Sequence, residues 1–165
     1  MKIALASDHA GFAYLNDLES FLKSAGNDVK NFGPEKLNLG DDYPDFILPA
    51  ALAVRDGECD RGIVLGGSGQ GEAMAANKVR GIRCAVYYGP AAARKVVDAS
   101  GRNSRDPLEI IRLSREHNDS NMLSLAARFL TLGDMKQAIK LWLATEFSGD
   151  ERHRRRNGKL DEFNR

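Results

Sequence analysis

Short apolar runs alternate with one-sided amphipathic stretches along most of this chain, and that rhythm leaves few folds open to it. Lys2 to Ser7 reads as a buried strand, ended by the turn formers Asp8 and Gly11. From Phe12 to Ala25 apolar residues recur at 14, 15, 18, 21, 22 and 25, which places them on one helical stripe, and Gly26 caps it. Val29 to Phe32 is a second strand, followed by a polar loop through Gly33, Pro34 and Gly40. A helix over about 45–55 is entered through Tyr43-Pro44, and Gly62 to Leu65 is a third strand bounded by glycines. Glu72 to Lys78 reads as a helix, Ile82 to Tyr87 as a fourth strand, and Met122 to Leu125 as a fifth. Short helices are predicted at 91–97 and 107–115, and Met135, Ile139 and Trp142 share one face of a helix over about 134–147. Strands separated by crossover helices predict a five-stranded parallel sheet covered on both faces, the doubly wound, Rossmann-like α/β class with three αβα layers. Ligands of such sheets bind outside the carboxyl ends of the strands.

The 165 residues suit one domain over 1–165, closed by a basic helix at about 149–164. Lys plus Arg number 24 against 23 for Asp plus Glu, and a net charge of +1 argues against a dedicated nucleic-acid binder. The first apolar run stops at Ser7-Asp8-His9, well short of an export signal, and nothing approaches the ~20 apolar residues that span a bilayer. Cys59 and Cys84 form no CxxC pair and read as reduced thiols, so the expected location is the cytoplasm.

Three loops carry chemistry. Ser7-Asp8-His9-Ala10-Gly11 puts a carboxylate and an imidazole at a strand end, although Asp8 reads equally well as a helix N-cap. Gly66-Gly67-Ser68-Gly69-Gln70-Gly71-Glu72 joins a strand to a helix, with four glycines in six positions that let backbone N–H groups approach an anion. It is no phosphate-binding Walker loop, because Glu72-Ala73 stands where Lys-Ser/Thr is required, and no dinucleotide fingerprint, because Glu72 fills the third glycine position. A purely structural turn would need neither the hydroxyl nor the carboxylate. Glu116-His117-Asn118-Asp119 adds a titratable ring and an amide before the last strand. Arg128 follows that strand, and Arg152 and Arg156 share a helix face suited to a phosphate, the other readings being a solvated basic helix or a weak RNA-binding patch.

Together these segments resemble the type B ribose-5-phosphate isomerase family, which includes the galactose-6-phosphate isomerase subunits. The likeness runs through Ser7-Asp8-His9-Ala10-Gly11, Asp42-Tyr43-Pro44, Gly62 to Gly69, Gly71-Glu72, Ala75-Ala76-Asn77-Lys78, Gly81-Ile82-Arg83, Arg115 to Asp119, and Arg152-His153 with Arg156. It implies a metal-independent, cofactor-free interconversion of D-ribose 5-phosphate and D-ribulose 5-phosphate through a cis-enediolate. It also implies a homodimer, or a tetramer, whose sites are shared across the interface, with no nucleic-acid or membrane partner. Family members place either a cysteine after the third strand or a glutamate as base; Gly66 or Gly67 stands at the cysteine position, so the resemblance assigns the base to Glu72. By the same resemblance Ser68 relays a proton or bonds the carbonyl oxygen, and the region of Gly67 with the amides of Gly69, Gln70 and Gly71 holds the oxyanion. His117 opens the furanose ring, Asp8 positions hydroxyls, Asn118 holds the open chain, and Tyr43 borders the pocket. His9, Arg128, Arg152 and Arg156 grip the phosphate. One departure is a loop about a dozen residues longer than the family pattern between Tyr87 and Arg115, a lid, an oligomer contact or a tolerated insertion.

Three other readings share these residues. Another sugar phosphate (allose, galactose or a tetrose) would use the same motifs. A non-catalytic phosphate sensor would need no base. A metal site from Asp8, His9 and His117 lacks any ligand pair at helix spacing.

Overall fold

A computed structural model describes residues 1–163; the last residue of the predicted basic helix, 164, lies outside the described residues. Five strands form: β1 (Lys2–Ser7), β2 (Asp28–Asn31), β3 (Arg61–Gly66), β4 (Cys84–Tyr87) and β5 (Met122–Ala126). Between and after them run α1 (Phe12–Ser24), α2 (Pro44–Arg55), α3 (Gln70–Ala76), α4 (Glu109–Glu116), α5 (Leu132–Ala144) and α6 (Glu151–Glu162). The sheet order is β2-β1-β3-β5-β4 with every pairing parallel, as the apolar runs require.

Alternation along the strands divides the core in two. Ile3, Leu5, Ile63, Leu65, Leu123 and Leu125 face one layer, where Leu15, Leu18 and Leu22 of α1 meet Met135, Ile139 and Trp142 of α5. Ala4, Ala6, Val64 and Met122 face the other, covered by Ile47, Ala50, Ala51 and Val54 of α2 and Ala76 of α3. Small residues on that second side bring α2 and α3 close to the sheet. From β1 the chain turns toward β2 through α1 on the first face. From β3 it turns the other way, through α3 on the second. The gap between the carboxyl ends of β1 and β3 is therefore the switch point at which doubly wound sheets bind ligands.

The helix predicted over 91–97 does not form. Ala91 to Val96 are exposed on every side, so no apolar face is packed and an isolated single-turn helix is unstable in water. The segment is instead pinned as a loop by Ala91 N–H donating to the Pro107 carbonyl and Val97 N–H to that of Arg102, both at 2.8 Å. Among the described residues, no helix is long and apolar enough to cross a membrane.

Candidate active site

The glycine-rich turn stands at the switch point, and its glycines are there because neighbours occupy their side-chain space. Gly69 caps α3 with φ +72, a left-handed conformation. A Cβ on Gly66 would fall on the carboxylate of Glu72, which folds back from the first turn of α3 over the end of β3. Of the two glycines, Gly66 and Gly67, at the position where the resemblance places a cysteine, it is Gly66 whose side-chain space the Glu72 carboxylate fills. Gly67 lies against the Arg128 guanidinium, where an added Cβ would be 3.2 Å from Cζ, and Gly71 against the Tyr43 ring, at 2.9 Å from Cζ. The turn is stitched to β5 and the loop after it by Ala127 N–H donating to the Gly66 carbonyl (2.8 Å), Arg128 N–H to that of Gly67 (3.1 Å), and the Ser124 hydroxyl to that of Gly69 (2.7 Å). Ser68 projects from this turn into solvent, its Oγ 3.3 Å from the Gln70 amide.

Glu72 is only 4% exposed. Burial pushes its carboxyl above the usual range and the nearby Asp8 charge adds to this, while its own backbone N–H and His9 pull the other way. Asp8 is buried too, but it caps no helix. Its Oδ1 accepts the Ala10 N–H at 2.9 Å, and the N-cap of α1 is Gly11, with no side-chain cap. His9 turns Nδ1 to Asp41, 2.6 Å from Oδ1, and lies 3.7 Å from Asp8. The hydrogen bond to Asp41 raises the His9 pKa; partial burial and Arg128 oppose it, and Asp8 reinforces it. Sequence reasoning missed Asp41, which lies in an aperiodic polar loop and shows only as the acidic residue before Asp42-Tyr43-Pro44.

The remaining residues gather at the other edge of the sheet. His117 is the C-cap of α4, ahead of β5. The turn that follows is held by the buried Arg115, whose guanidinium donates to Asp119, the Ser120 carbonyl and the Thr145 carbonyl. The His117 ring stacks on His153 of α6, centroids 4.1 Å apart and planes 14° from parallel. Asn157 Nδ2 donates to the His117 carbonyl at 3.2 Å, and Arg152 Nε lies 3.3 Å from His153 Nε2. Burial lowers the His153 pKa, with the His117 ring and Arg152 adding to it. Asn118 and Arg156 are exposed. Within one chain, then, Asp8, His9, Tyr43, the Gly67–Glu72 turn and Arg128 come together, whereas His117, Asn118, Arg152 and Arg156 form a second group. The six residues of β3, at about 3.3 Å each, put roughly the depth of the sheet between the two groups.

The long loop of 88–108 leaves the carboxyl end of β4 and folds onto α4. Its anchor is Arg102, which pairs with Asp98 (2.9 Å), Glu109 (2.8 Å) and Glu116 (3.3 Å), the residue before His117. Bonds from Ser100 and Arg102 hold the Asp98 carboxyl well below the usual range.

Among the described residues, the side chains able to hold a cation together are Asp8, His9 and Asp41, with ligand atoms within 4.8 Å of one another; Asp41 stands where the sequence suggested His117. Two ligands on one zinc with bonds of about 2.0–2.1 Å stand about 3.3 Å apart. The 2.6 Å between His9 Nδ1 and Asp41 Oδ1 is instead the spacing of a shared proton.

A buried carboxyl of raised pKa, set against a glycine-rich turn at the switch point of a parallel sheet and flanked by cations, defines an acid–base enzyme for a small anionic substrate. Residues 3–103 and 107–160 match the family model described as Ribose/Galactose Isomerase. The ribose-5-phosphate isomerase B of Mycobacterium leprae is 33% identical over 100% of this chain and 91% of its own length. The structure of Clostridium thermocellum ribose-5-phosphate isomerase B superposes with a TM-score of 0.84 at 41% identity, covering 99% of this chain and 97% of that one. The Mycoplasma genitalium ribose-5-phosphate isomerase B with bound ribulose 5-phosphate gives 0.83 at 30% identity, covering 99% and 95%. The chain belongs to the ribose/galactose isomerase family.

Proposed function

We propose that the protein interconverts D-ribose 5-phosphate and D-ribulose 5-phosphate, with Glu72 as the base. The observation that carries this reading is the Glu72 carboxylate, buried over Gly66 at the switch point with its pKa raised. A carboxylate made more basic by burial is suited to take the C2 proton of the open-chain aldose, leaving a cis-enediolate, and to return it to C1. Ser68 bonds the carbonyl oxygen or relays the proton between O1 and O2. The first-turn amides of α3 lack intrahelical acceptors, so Gly69, Gln70 and Gly71 present donors to the developing oxyanion beside Gly67. Asp8 orients hydroxyls, and Tyr43 walls the pocket beside Gly71. No step in this scheme requires a metal or cofactor.

Ring opening needs a proton shuttle besides Glu72, and the resemblance assigns that role to His117. The placement of His117 and Asn118 on the opposite edge supports a homodimer in which a partner's His117 and Asn118 meet the Glu72 pocket. Arg152 and Arg156 travel with them on α6, and join His9 and Arg128 around the phosphate. The ribulose 5-phosphate bound to the Mycoplasma relative favours the pentose over other sugar phosphates.

The test is Glu72→Gln with ribose 5-phosphate in deuterated water. Turnover should fall by roughly 10³–10⁴-fold, with loss of solvent exchange at C2 and retained sugar-phosphate binding. Undiminished exchange would move the base elsewhere. Preference of the wild type for allose, galactose or erythrose phosphate by two orders of magnitude would reassign the substrate, and binding with no exchange in the wild type would make the protein a sensor.

A further inference from the structure

Asp41 belongs to no motif, yet it is the best-buried acid of its loop and touches a residue of the site. Its side chain is 7% exposed. Oδ1 accepts twice from His9, from the backbone N–H at 3.2 Å and at 2.6 Å from Nδ1. Oδ2 is buried with no hydrogen-bond partner. An unpartnered buried carboxylate oxygen is expensive, and an acid kept only to shape the loop would use both oxygens. The loop shapes itself by other means: Asn38 accepts the Gly40 N–H through its side chain and the Asp41 N–H through its carbonyl. Two residues on, Tyr43 packs against Gly71. One short segment therefore touches both the loop after β1 and the first turn of α3.

We propose that Asp41 is a positioning residue of the substrate site, one that holds the His9 ring as a cation with Nε2–H directed to the phosphate of the sugar. A carboxylate on Nδ1 fixes the proton there, so the remaining nitrogen serves as donor and the ring carries a full charge. The groups that act on His9 come from four elements. Asp8 after β1 and Asp41 before α2 favour its charge, Arg128 after β5 disfavours it, and Glu72 on α3 is the acid with which it interacts. Two carboxylates against one guanidinium leave His9 protonated where a free histidine loses its charge. It then serves as a standing cation, not as a proton shuttle, which leaves the acid–base work to Glu72 and His117.

The ligand in this inference rests on the sugar-phosphate reading, but the dyad can be tested without turnover. The His9 ring is titrated by NMR in wild type and Asp41→Asn, with its signals assigned by their loss in His9→Gln. Sulfate, a dianion from pH 5.5 to 8, is the binding probe. In wild type His9 should titrate above the ordinary value of about 6.5, and in Asp41→Asn return toward it. Sulfate binding to Asp41→Asn should weaken about tenfold relative to wild type at pH 8, and the deficit should close toward pH 5.5, where His9 is charged without help. In an active preparation the KM for ribose 5-phosphate should follow the same profile with kcat within about twofold. Unchanged His9 titration, or a deficit equal at both pH values, would overturn the proposal. Should Asp41→Asn fail to fold, His9→Gln decides: undiminished sulfate binding at pH 8 overturns it. If wild type binds sulfate and shows the raised titration but turns over no sugar, the dyad stands and the isomerase reading falls.

Discussion

The two edges of the sheet carry two unlike groups of candidate site residues. At the carboxyl edge, close approach does the building: Glu72 lies over Gly66, Arg128 over Gly67 and Tyr43 against Gly71, each where a side chain on the glycine would be. At the amino edge, stacking does it: His117 rests on His153, and α6 is drawn in by Asn157 and by Arg83, which pairs with Asp161. The first half holds a buried carboxyl of raised pKa, the second a buried imidazole of lowered pKa under a more exposed one. On the proposed reading one edge serves carbon acid chemistry, and the other moves a proton on oxygen and grips an anion. Within one chain the sheet lies between them; on the proposed reading the two groups meet only when two copies pair.

The sharpest way to break that comparison is complementation. Glu72→Gln and His117→Ala should each be inactive, since each spoils one half of every site. If sites are shared, random exchange of subunits makes about half the dimers mixed, each with one intact site, and about a quarter of wild-type activity should return. Activity of the mixture no greater than the sum of the separate variants, after subunit exchange has been verified, would place each site within one chain.

The two halves differed as much in how far the sequence disclosed them. The strands were legible because buried parallel strands are continuous apolar runs, and the glycine turn because four glycines followed by an acid have few other uses. The position of Glu72 after that turn marked it as a candidate, and the family resemblance assigned it the role of base. That its carboxylate folds back over Gly66, and not over Gly67, needed the backbone path. Asp41 was invisible because it touches the site only through His9, and a contact between two loops 32 positions apart has no period to detect. His153 stood inside the basic cluster, yet nothing there indicated that one ring of it would be buried beneath another. The failed helix at 91–97 was the reverse error: good local propensity, but no surface to pack on.

The halves also carry opposite pH liabilities, which sharpens the contrast at smaller effect. The Glu72 carboxyl, with an unfolded value near 4.5, has its pKa raised on folding, so stability falls as pH rises from there through the folded value. His153, near 6.5 when unfolded, has its pKa lowered, so stability falls as pH drops through that value. Glu72→Gln should therefore melt higher than wild type at pH 8, by about 2–4 °C, with the gain gone by pH 4. His153→Phe, which keeps a ring beneath His117, should gain on wild type as the pH falls from 8 to 5.5. Thermal scans across that range check both, and a Glu72→Gln difference that does not vary with pH would mean the buried carboxyl is not the source of the cost.

The smallest effect concerns whether the long loop belongs to either half. Arg102 is its one tie to three carboxylates, of which Glu109 is buried and Glu116 precedes His117. Exposed ion pairs contribute little, but Glu109 would be left with Ser104 on Oε2, a more distant Arg112 contact, and nothing at Oε1. Arg102→Ala should lower the melting temperature by about 2–4 °C, the shift that about 1 kcal/mol produces in a domain of this size. Because the loop folds onto α4 and not over Glu72, kcat should stay within about twofold. A KM that rises with the loss of Arg102 while the melting temperature holds would show instead that the loop communicates with His117 through Glu116, and so belongs to the amino-edge half.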